Sequence, residues 1–402
     1  MLGFVTKHIA ALRRQELVLV IESIHQRVQL TLLRRSPGSN VFELLTSESA
    51  IAPSHQSVVL TLRQLLKDVP TLSRLKIILS LDHEAATMFE AQIVVTRPDS
   101  TLALSGSEFE NLLSQALWKL FNGERPRAAV KMVLPVVSIT IADADVLSIK
   151  LDDHRVMSAL GFKAKSIRFD CRQTLVNQVR FSQLLEELPE EQLLSVQESS
   201  ASAACLIAAS EPGEAFLFVA LGEAQTVLYR KTDNSFTYLD VLTWGGRDIL
   251  KSVAGVFAVA PEEAGAFIDR YMTGRASRAV LKRVEEALKN ELAILRNVIQ
   301  THRLKSGLEK IYVQPLSEIP KAVFEPHFLK RAIGSSVVAV TEELISQKTG
   351  FTLTLSTPEL AQADWTSVLS SVALAYGARD YEAESKIAKR RARWLSSDIK
   401  RT

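Results

Sequence analysis

Apolar runs separated by turn residues give the first outline of this chain. Residues 215–221 form a solid apolar run ended by Gly222, residues 227–229 follow, and a polar tip at 231–234 leads into 236–242. Short runs of this kind predict a three-strand meander buried on at least one face. Gly245 and Gly246 then stop the strand, and Ile249, Val253, Val256 and Phe257 recur at helical spacing.

The same reading extends to the flanks. Residues 1–14 place Leu2, Val5, Ile9 and Leu12 on one helical face, either a membrane-surface helix or an ordinary terminal helix packed on the body. Residues 18–33 read as strand, 54–66 as helix, and 75–81 and 89–96 as strands. Ser107 and Glu110 make a capping-box pattern at the head of an amphipathic helix carrying Phe109, Leu112, Leu113, Ala116, Leu117 and Leu120. Strands are expected again at 136–141, 146–151 and 166–171, with a turn region at 152–161. Further on, 262–271 and 278–301 read as helices. The longer one has Val280, Val284, Ala287, Leu288, Leu292, Leu295, Val298 and Ile299 as its buried stripe. A strand at 311–313, a helix at 324–333, a strand at 337–340 and a small-residue helix at 367–377 complete the pattern.

Composition narrows the class. With 402 residues, 47% hydrophobic and 23% charged, the chain is expected to fold into two or three domains. A net charge of +3 is too small to argue for nucleic acid. Cys171 and Cys205 lie far apart and fit a reducing cytoplasm. No apolar run reaches the ~18 residues that span a bilayer, and the N-terminus lacks a secretory pattern. These features predict a cytoplasmic protein. There is no Walker loop, dinucleotide fingerprint, His-Glu-x-x-His or Cys-x-x-Cys. Asp152-Asp153-His154 is the one acidic-histidine cluster and reads as a solvated turn rather than a metal site.

Strand, glycine turn, two strands, Gly-Gly and helix resembles the second phosphate loop of the actin-like ATPases. In that family the glycine amides face a nucleotide phosphate, and an Asp ending the first strand holds the metal or attacking water. The chain is similar to the FtsA and PilM group in particular, through residues 219–226 and then Trp244-Gly245-Gly246. The frame is present but its chemistry is altered. Ala220 stands where the acid belongs, and Glu223 and Ala224 replace two of three clustered glycines. Glycine permits close backbone approach, whereas a carboxylate repels phosphate unless a metal intervenes.

Other landmarks follow in family order. The tip at 22–25 matches the first phosphate loop, with Glu22 either standing in for its Asp or serving as a solvated turn carboxylate. Residues 89–172 resemble the small inserted subdomain of FtsA and PilM, its second half matching at 139–145, 152–162 and 165–171. Residues 197–203 resemble the segment joining the lobes, through Glu198, Ala201 and Ser202. Nothing around Ser202 or Cys205 makes a nucleophile, so a hinge contact is expected. Glu286, Lys289 and Glu291 sit where relatives contact adenosine, although a charged outer helix face explains them as well. In the adenosine loop Ser317, Ile319 and Pro320 match, while Pro315-Leu316 replaces a glycine pair. Gly377 ends the family's closing helix. The tail carries Lys386, Lys389, Arg390, Arg391, Arg393, Lys400 and Arg401 around Ile387, Trp394, Leu395 and Ile399. It resembles FtsA's membrane-interface helix, where each basic residue contributes ~1 kcal/mol at an anionic surface. A solvated terminal helix and a nucleic-acid tail are the alternatives.

The resemblance implies an α/β, two-lobed actin-like (ribonuclease H-like) ATPase fold with an inserted small α+β subdomain. Its expected parts are an N-terminal helix over 1–15, lobe I over 16–88 and 173–205, the insert over 89–172, lobe II over 206–379 and a basic tail over 380–402. Gly222, Thr226, Gly245 and Gly246 would form a degenerate phosphate loop, with ATP and magnesium binding lost. Lys389, Arg390, Arg393, Trp394 and Leu395 would meet the membrane. The implied function is a non-catalytic, self-associating scaffold that brings a tubulin-like division protein to the inner membrane face. A PilM-like adaptor holding a pilus membrane protein's peptide is the alternative, as is a working ATPase with rewired loops. No nucleic-acid partner is implied.

Overall fold

The computed structural model describes residues 15–24, 27–51, 55–66, 75–233, 235–308, 310–316, 336–377 and 380–399. The expected helices at 1–14 and 324–333, and Ser317, Ile319 and Pro320, lie outside them. The chain divides into two compact units, Met1–Ser210 with Glu342–Thr402, and Glu211–Thr341.

The first unit opens with a meander: β1 (Glu16–Ile24), β2 (Arg27–Arg35) and β3 (Val41–Ile51). Helix α1 (His55–Leu66) follows, then β4 (Lys76–Leu81), parallel to β1. β1 and β4 are almost wholly apolar and buried (Val18, Val20, Ile77, Ile78), the pattern of strands covered on both faces.

β5 (Ala86–Thr96) leads to α2 (Gly106–Met132). The expected stripe Phe109, Leu112, Leu113, Ala116, Leu117 and Leu120 is buried. The cap differs, because Ser105 rather than Ser107 accepts the Glu108 amide. Next come β6 (Ile139–Leu151), the two-residue β7 (His154–Arg155) and β8 (Ser166–Asn177). The two strands expected at 136–141 and 146–151 are one strand, whose register shifts against β8 between Ile141 and Asp143 and between Val146 and Ser148. These irregularities break the apolar alternation that the sequence reading relied on. α3 (Gln178–Glu187), β9 (Leu193–Glu198) and α4 (Ser199–Ser210) then return the chain to the first sheet.

The second unit holds β10 (Phe216–Leu221), β11 (Thr226–Thr232) and β12 (Ser235–Leu242), the expected meander. It continues through α5 (Gly246–Phe257), α6 (Pro261–Met272), α7 (Arg278–Ser306), β13 (Lys310–Pro315) and β14 (Ser336–Ala339). Strand order within this unit is β14-β13-β10-β11-β12, with β13 parallel to β10. Leu217, Val219, Leu221, Ile311 and Val313 point to one face and share a core with Val253, Leu288, Leu292 and Leu295 of the helices.

From Glu342 the chain is again part of the first unit: α8 (Glu342–Thr349), β15 (Thr352–Leu355), α9 (Thr366–Gly377) and α10 (Glu382–Ile399). The first sheet has the order β15-β3-β2-β1-β4-β9. Residues 342–377, read from sequence as lobe II, thus return to the first unit, where β15 pairs with β3. The insert's strands run β5-β8-β6-β7, and their core with α2 includes Tyr381, Ala388 and Ala392 of the C-terminal segment. Among the described residues no helix is long and apolar enough to cross a membrane.

Candidate functional site: a phosphate-loop frame closed on itself

The second unit brings Gly222, Thr226, Gly245 and Gly246 together. β10 ends at Gly222, whose amide donates to the Gln225 carbonyl at 2.9 Å and so turns the chain into β11. Thr226 is buried, and its hydroxyl donates to the Trp244 carbonyl at 2.9 Å. Gly245 caps α5 under the first loop. A Cβ there would stand 2.5 Å from the Gly222 carbonyl oxygen and 2.6 Å from that of Glu223. Glycine is needed at 245 because two backbone segments of this chain touch.

A helix N-terminus ordinarily offers free N–H groups to an anion. Here they have partners within the chain. The Gly246 amide donates to the Gly222 carbonyl at 3.1 Å and the Arg247 amide to the Glu223 carbonyl at 2.8 Å. The Gly245 amide donates to the Asp248 carboxylate at 3.0 Å. Glu223 pairs with the Arg247 guanidinium at 2.9 Å across the outside of the loop. Two carboxylates, Glu223 and Asp248, therefore sit at this loop. Ala220 lies beside Gln314 of β13, and the Leu316 amide donates to the Leu221 carbonyl at 2.8 Å. Glu291, an adenosine-side candidate, accepts from the Trp244 indole at 2.9 Å.

Glu22 requires a correction. It is not a solvated turn carboxylate: it lies within β1, 3% exposed, and accepts a hydrogen bond from Ser367 in the first turn of α9. Burial pushes its carboxyl up to about 7, and the nearby Asp364 adds to the shift while the Ser367 bond opposes it. The folded carboxyl thus holds its proton more tightly than the unfolded one. Its contribution to stability is full below about pH 4.5 and is lost as pH rises through about 7. We expect Glu22→Gln, which mimics the protonated group, to gain stability over wild type between pH 5 and 8, by about 3 kcal/mol at the upper end. Melting temperatures of both proteins across that range check this, and a constant difference would refute it.

Ser202 and Cys205 lie in α4, whose first ten residues are all buried. The Ser202 hydroxyl donates within hydrogen-bond distance of the Gln197 side chain and the Glu198 carbonyl, both 3.0 Å away, and Gln197 donates to the Ser371 carbonyl of α9 at 3.1 Å. Burial pushes the Cys205 thiol well above its usual range, so it stays protonated. Among the described residues no group of three or more His, Cys, Asp or Glu is placed to hold a metal.

The tail residues are also placed differently from expectation. Lys389 does not face a membrane: its ammonium lies 3.2 Å from Asp143 and 3.3 Å from Asp145, and it donates to the Leu194 carbonyl. Arg390 and Arg391 pair with Glu110, and Arg393 approaches Glu190 at 3.5 Å. The physical reason is local acidity, since the groove receiving α10 is lined with carboxylates. The side chains of Trp394 and Leu395 lie outside the described residues.

Sequence reasoning missed ion pairs that involve buried groups, two of which matter most here. One is Lys389 with Asp143 and Asp145. The other joins Lys131 of α2 to Glu198, both fully buried. Asp143-Ala144-Asp145 inside a strand, and a lysine next to the apolar stripe of α2, were the available signals.

No family model and no curated protein matches the chain. Solved structures do. A PilM–PilN type IV pilus biogenesis complex aligns with a TM-score of 0.54 at 15% identity, covering 89% of this chain and 97% of that one. The ethanolamine utilization protein EutJ from Carboxydothermus hydrogenoformans aligns at 0.36 and 10% identity, covering 80% and 84%. A glucokinase from Balamuthia mandrillaris in complex with glucose aligns at 0.43 and 8% identity, covering 94% and 98%. At such identities the likeness is one of fold, and the fold of this chain is that of the actin-like ATPases.

Proposed function

We propose that this chain is a non-catalytic actin-like scaffold, an adaptor that holds a segment of a membrane-protein partner and does not turn over ATP. The observation carrying this reading is the closed loop of the second unit. The amides of Gly245, Gly246 and Arg247 donate to Asp248, Gly222 and Glu223, so these three are taken up within the chain and not free for a phosphate. Ala220 supplies no metal ligand, and Pro315-Leu316 takes the place of the family's adenosine glycines. Phosphoryl transfer rests on positioned charge and metal, so a loop rebuilt in this way suits shape-based recognition of protein. The likeness to a PilM–PilN complex supports a peptide from a membrane protein as the partner class, and with it a peripheral position at the membrane.

Titration calorimetry of the full chain with Mg-ATP is expected to give no binding heat, and a micromolar Kd would overturn the reading. A division-type scaffold is the second reading, favoured by the FtsA-like order of landmarks from Glu22 to Gly377. Co-sedimentation with filaments of a tubulin-like protein favours it, whereas capture of a pilus membrane protein's N-terminal peptide favours the first.

A further inference from the structure

Five valines crowd the end of α2 and the chain around it, all open to solvent. Val130 is 77% exposed, Val133 88%, Val136 44%, Val137 70% and Val179 62%. Val133 ends the helix, its amide donating to the Val130 carbonyl and the Leu134 amide to the Ala129 carbonyl. The chain then turns back along the helix, where the Arg125 side chain donates to the Val136 carbonyl at 2.7 Å. Val179 joins from α3. Asn177, two residues before it, pairs with Ile139, two residues after Val137.

Val133 adopts φ 54° and ψ 49°, the left-handed conformation that glycine favours at a helix end. A β-branched residue there is an outlier. Its side chain is almost wholly exposed, so the strain is not repaid by packing within the chain and marks a group kept for an outside contact. A contiguous apolar set of this kind is an interaction surface.

The charges beside it indicate what it meets. The Arg125 guanidinium lies 5.0 Å above the Phe121 ring, and Trp118, 40% exposed, packs on the same ring at 5.5 Å. The two terminal nitrogens of Arg125 make no hydrogen bond or ion pair among the described residues. Burial pulls its pKa down, and no carboxylate offsets that. The acids nearby have other cations: Glu124 pairs with Arg127 and Glu198 with Lys131. Asp82 and Glu84 face Arg180, and Glu186 and Glu187 face Arg63. Lys119, also on α2, is exposed and makes no ion pair among the described residues. The uncompensated charge is therefore positive, and at Arg125 it is a partly desolvated, pre-oriented fork. Such a fork takes a carboxylate through paired hydrogen bonds. Short, rotamer-restricted valines make a flat platform for aliphatic groups and lose little entropy on being covered. Trp and Arg side by side are the residues that dominate protein interfaces.

We propose that this face docks a segment of a partner protein that carries aliphatic side chains and a carboxylate. The aliphatic groups cover the valines, and the carboxylate closes on Arg125. The proposal deepens the adaptor reading and takes from it only that the partner is a protein.

The probe is a displayed library of random short peptides, selected against the full chain. Selected peptides are expected to share an Asp or Glu among aliphatic residues. They should bind Arg125→Glu about tenfold or more weakly than wild type, and replacing their acid by Lys should restore binding to that variant. Val133→Gly should weaken binding while melting at or above the wild-type temperature, because glycine relieves the strained cap. Those opposite movements separate docking from a structural role. Selected peptides without an acid, equal binding by both variants, or a selection that yields no binder overturns the proposal. Sedimentation with vesicles of phosphatidylcholine and phosphatidylglycerol that Arg125→Glu abolishes would assign the face to lipid and overturn it as well. The adaptor reading fails by a different result, Mg-ATP binding, which leaves this surface intact. Capture of a pilus membrane protein's peptide that neither variant affects, with no library binder, would end the surface and leave that reading standing.

Discussion

Deleting residues 381–402 is expected to unfold the first unit, not to release a soluble body from a membrane tether. Tyr381, Ala388 and Ala392 are buried in the same core as Phe109, Leu113 and Phe169. The Val146 amide of β6 donates to the Ser385 hydroxyl at 3.0 Å, so α10 covers part of a strand edge that would otherwise be bare. Lys389 is the centre of the contact, because it neutralises Asp143 and Asp145 inside the protein. Burial already pushes the Asp143 carboxyl up, and Asp145 adds to the shift, while the Lys389 ammonium pulls it back. Removing the ammonium takes its cation from the buried Asp143 carboxylate and from the half-buried Asp145, which then keeps only the Arg172 charge across the strand. Breaking a buried pair from one side costs about 3–5 kcal/mol, and Lys389→Ala should lose that much in urea denaturation. Adding Asp143→Asn and Asp145→Asn should recover a large part, since the uncompensated charge is then gone. A truncated chain with the wild-type midpoint would refute this account and return α10 to solvent.

Lys131→Met is expected to destabilise the first unit by a similar amount, about 3–5 kcal/mol. Lys131 and Glu198 are fully buried, and their charged groups are in contact. Lys131 also donates to the Ala86 carbonyl at 3.3 Å and the Thr87 hydroxyl at 3.2 Å. Glu198 accepts from the Met88 amide at 2.7 Å and the Ser200 hydroxyl at 2.9 Å. Burial lowers the Lys131 pKa, and the charge of its Glu198 partner opposes that. A thioether in place of the ammonium would take the cation away from the buried Glu198 carboxylate, leaving its charge to the Met88 amide and the Ser200 hydroxyl. The double variant Lys131→Met/Glu198→Gln removes that charge while keeping an acceptor for the Met88 amide, and should be clearly more stable than Lys131→Met alone. Equal midpoints for the single and double variants would show that lost packing, not stranded charge, sets the cost. Replacing Glu198 by Leu is a poorer rescue, since an unpaired buried amide costs about 1–3 kcal/mol.

The second unit was the more legible half. Its meander, Gly-Gly stop and amphipathic helices appear where the apolar spacing put them, and the stripe of α7 from Val284 to Ile299 is buried as expected, with Val280 and Val298 packed at its margin. Such elements depend on residues near in sequence, so their periods can be read directly. The irregular strand β6 could not be read that way, because its register shifts interrupt the alternation. The return of β15 to pair with β3, over 300 positions upstream, also left no local trace.

The sequence by itself determined the α/β class, the strand–glycine–helix frame around Gly222 and Gly246, and the replacement of its acid by Ala220, since these are local patterns of residue type. Only the tertiary structure decided what the polar groups do. Asp248 turning back onto the Gly245 amide needs the loop's actual path. Glu22 becoming a buried acid needs Ser367 and Asp364, more than 340 positions away. Lys389 acts as an internal counter-ion and not a membrane contact because the fold carries it to Asp143, 246 positions upstream. Spacing reveals which face of an element is apolar. The role of a charge depends on which distant groups the fold brings within a few ångströms of it.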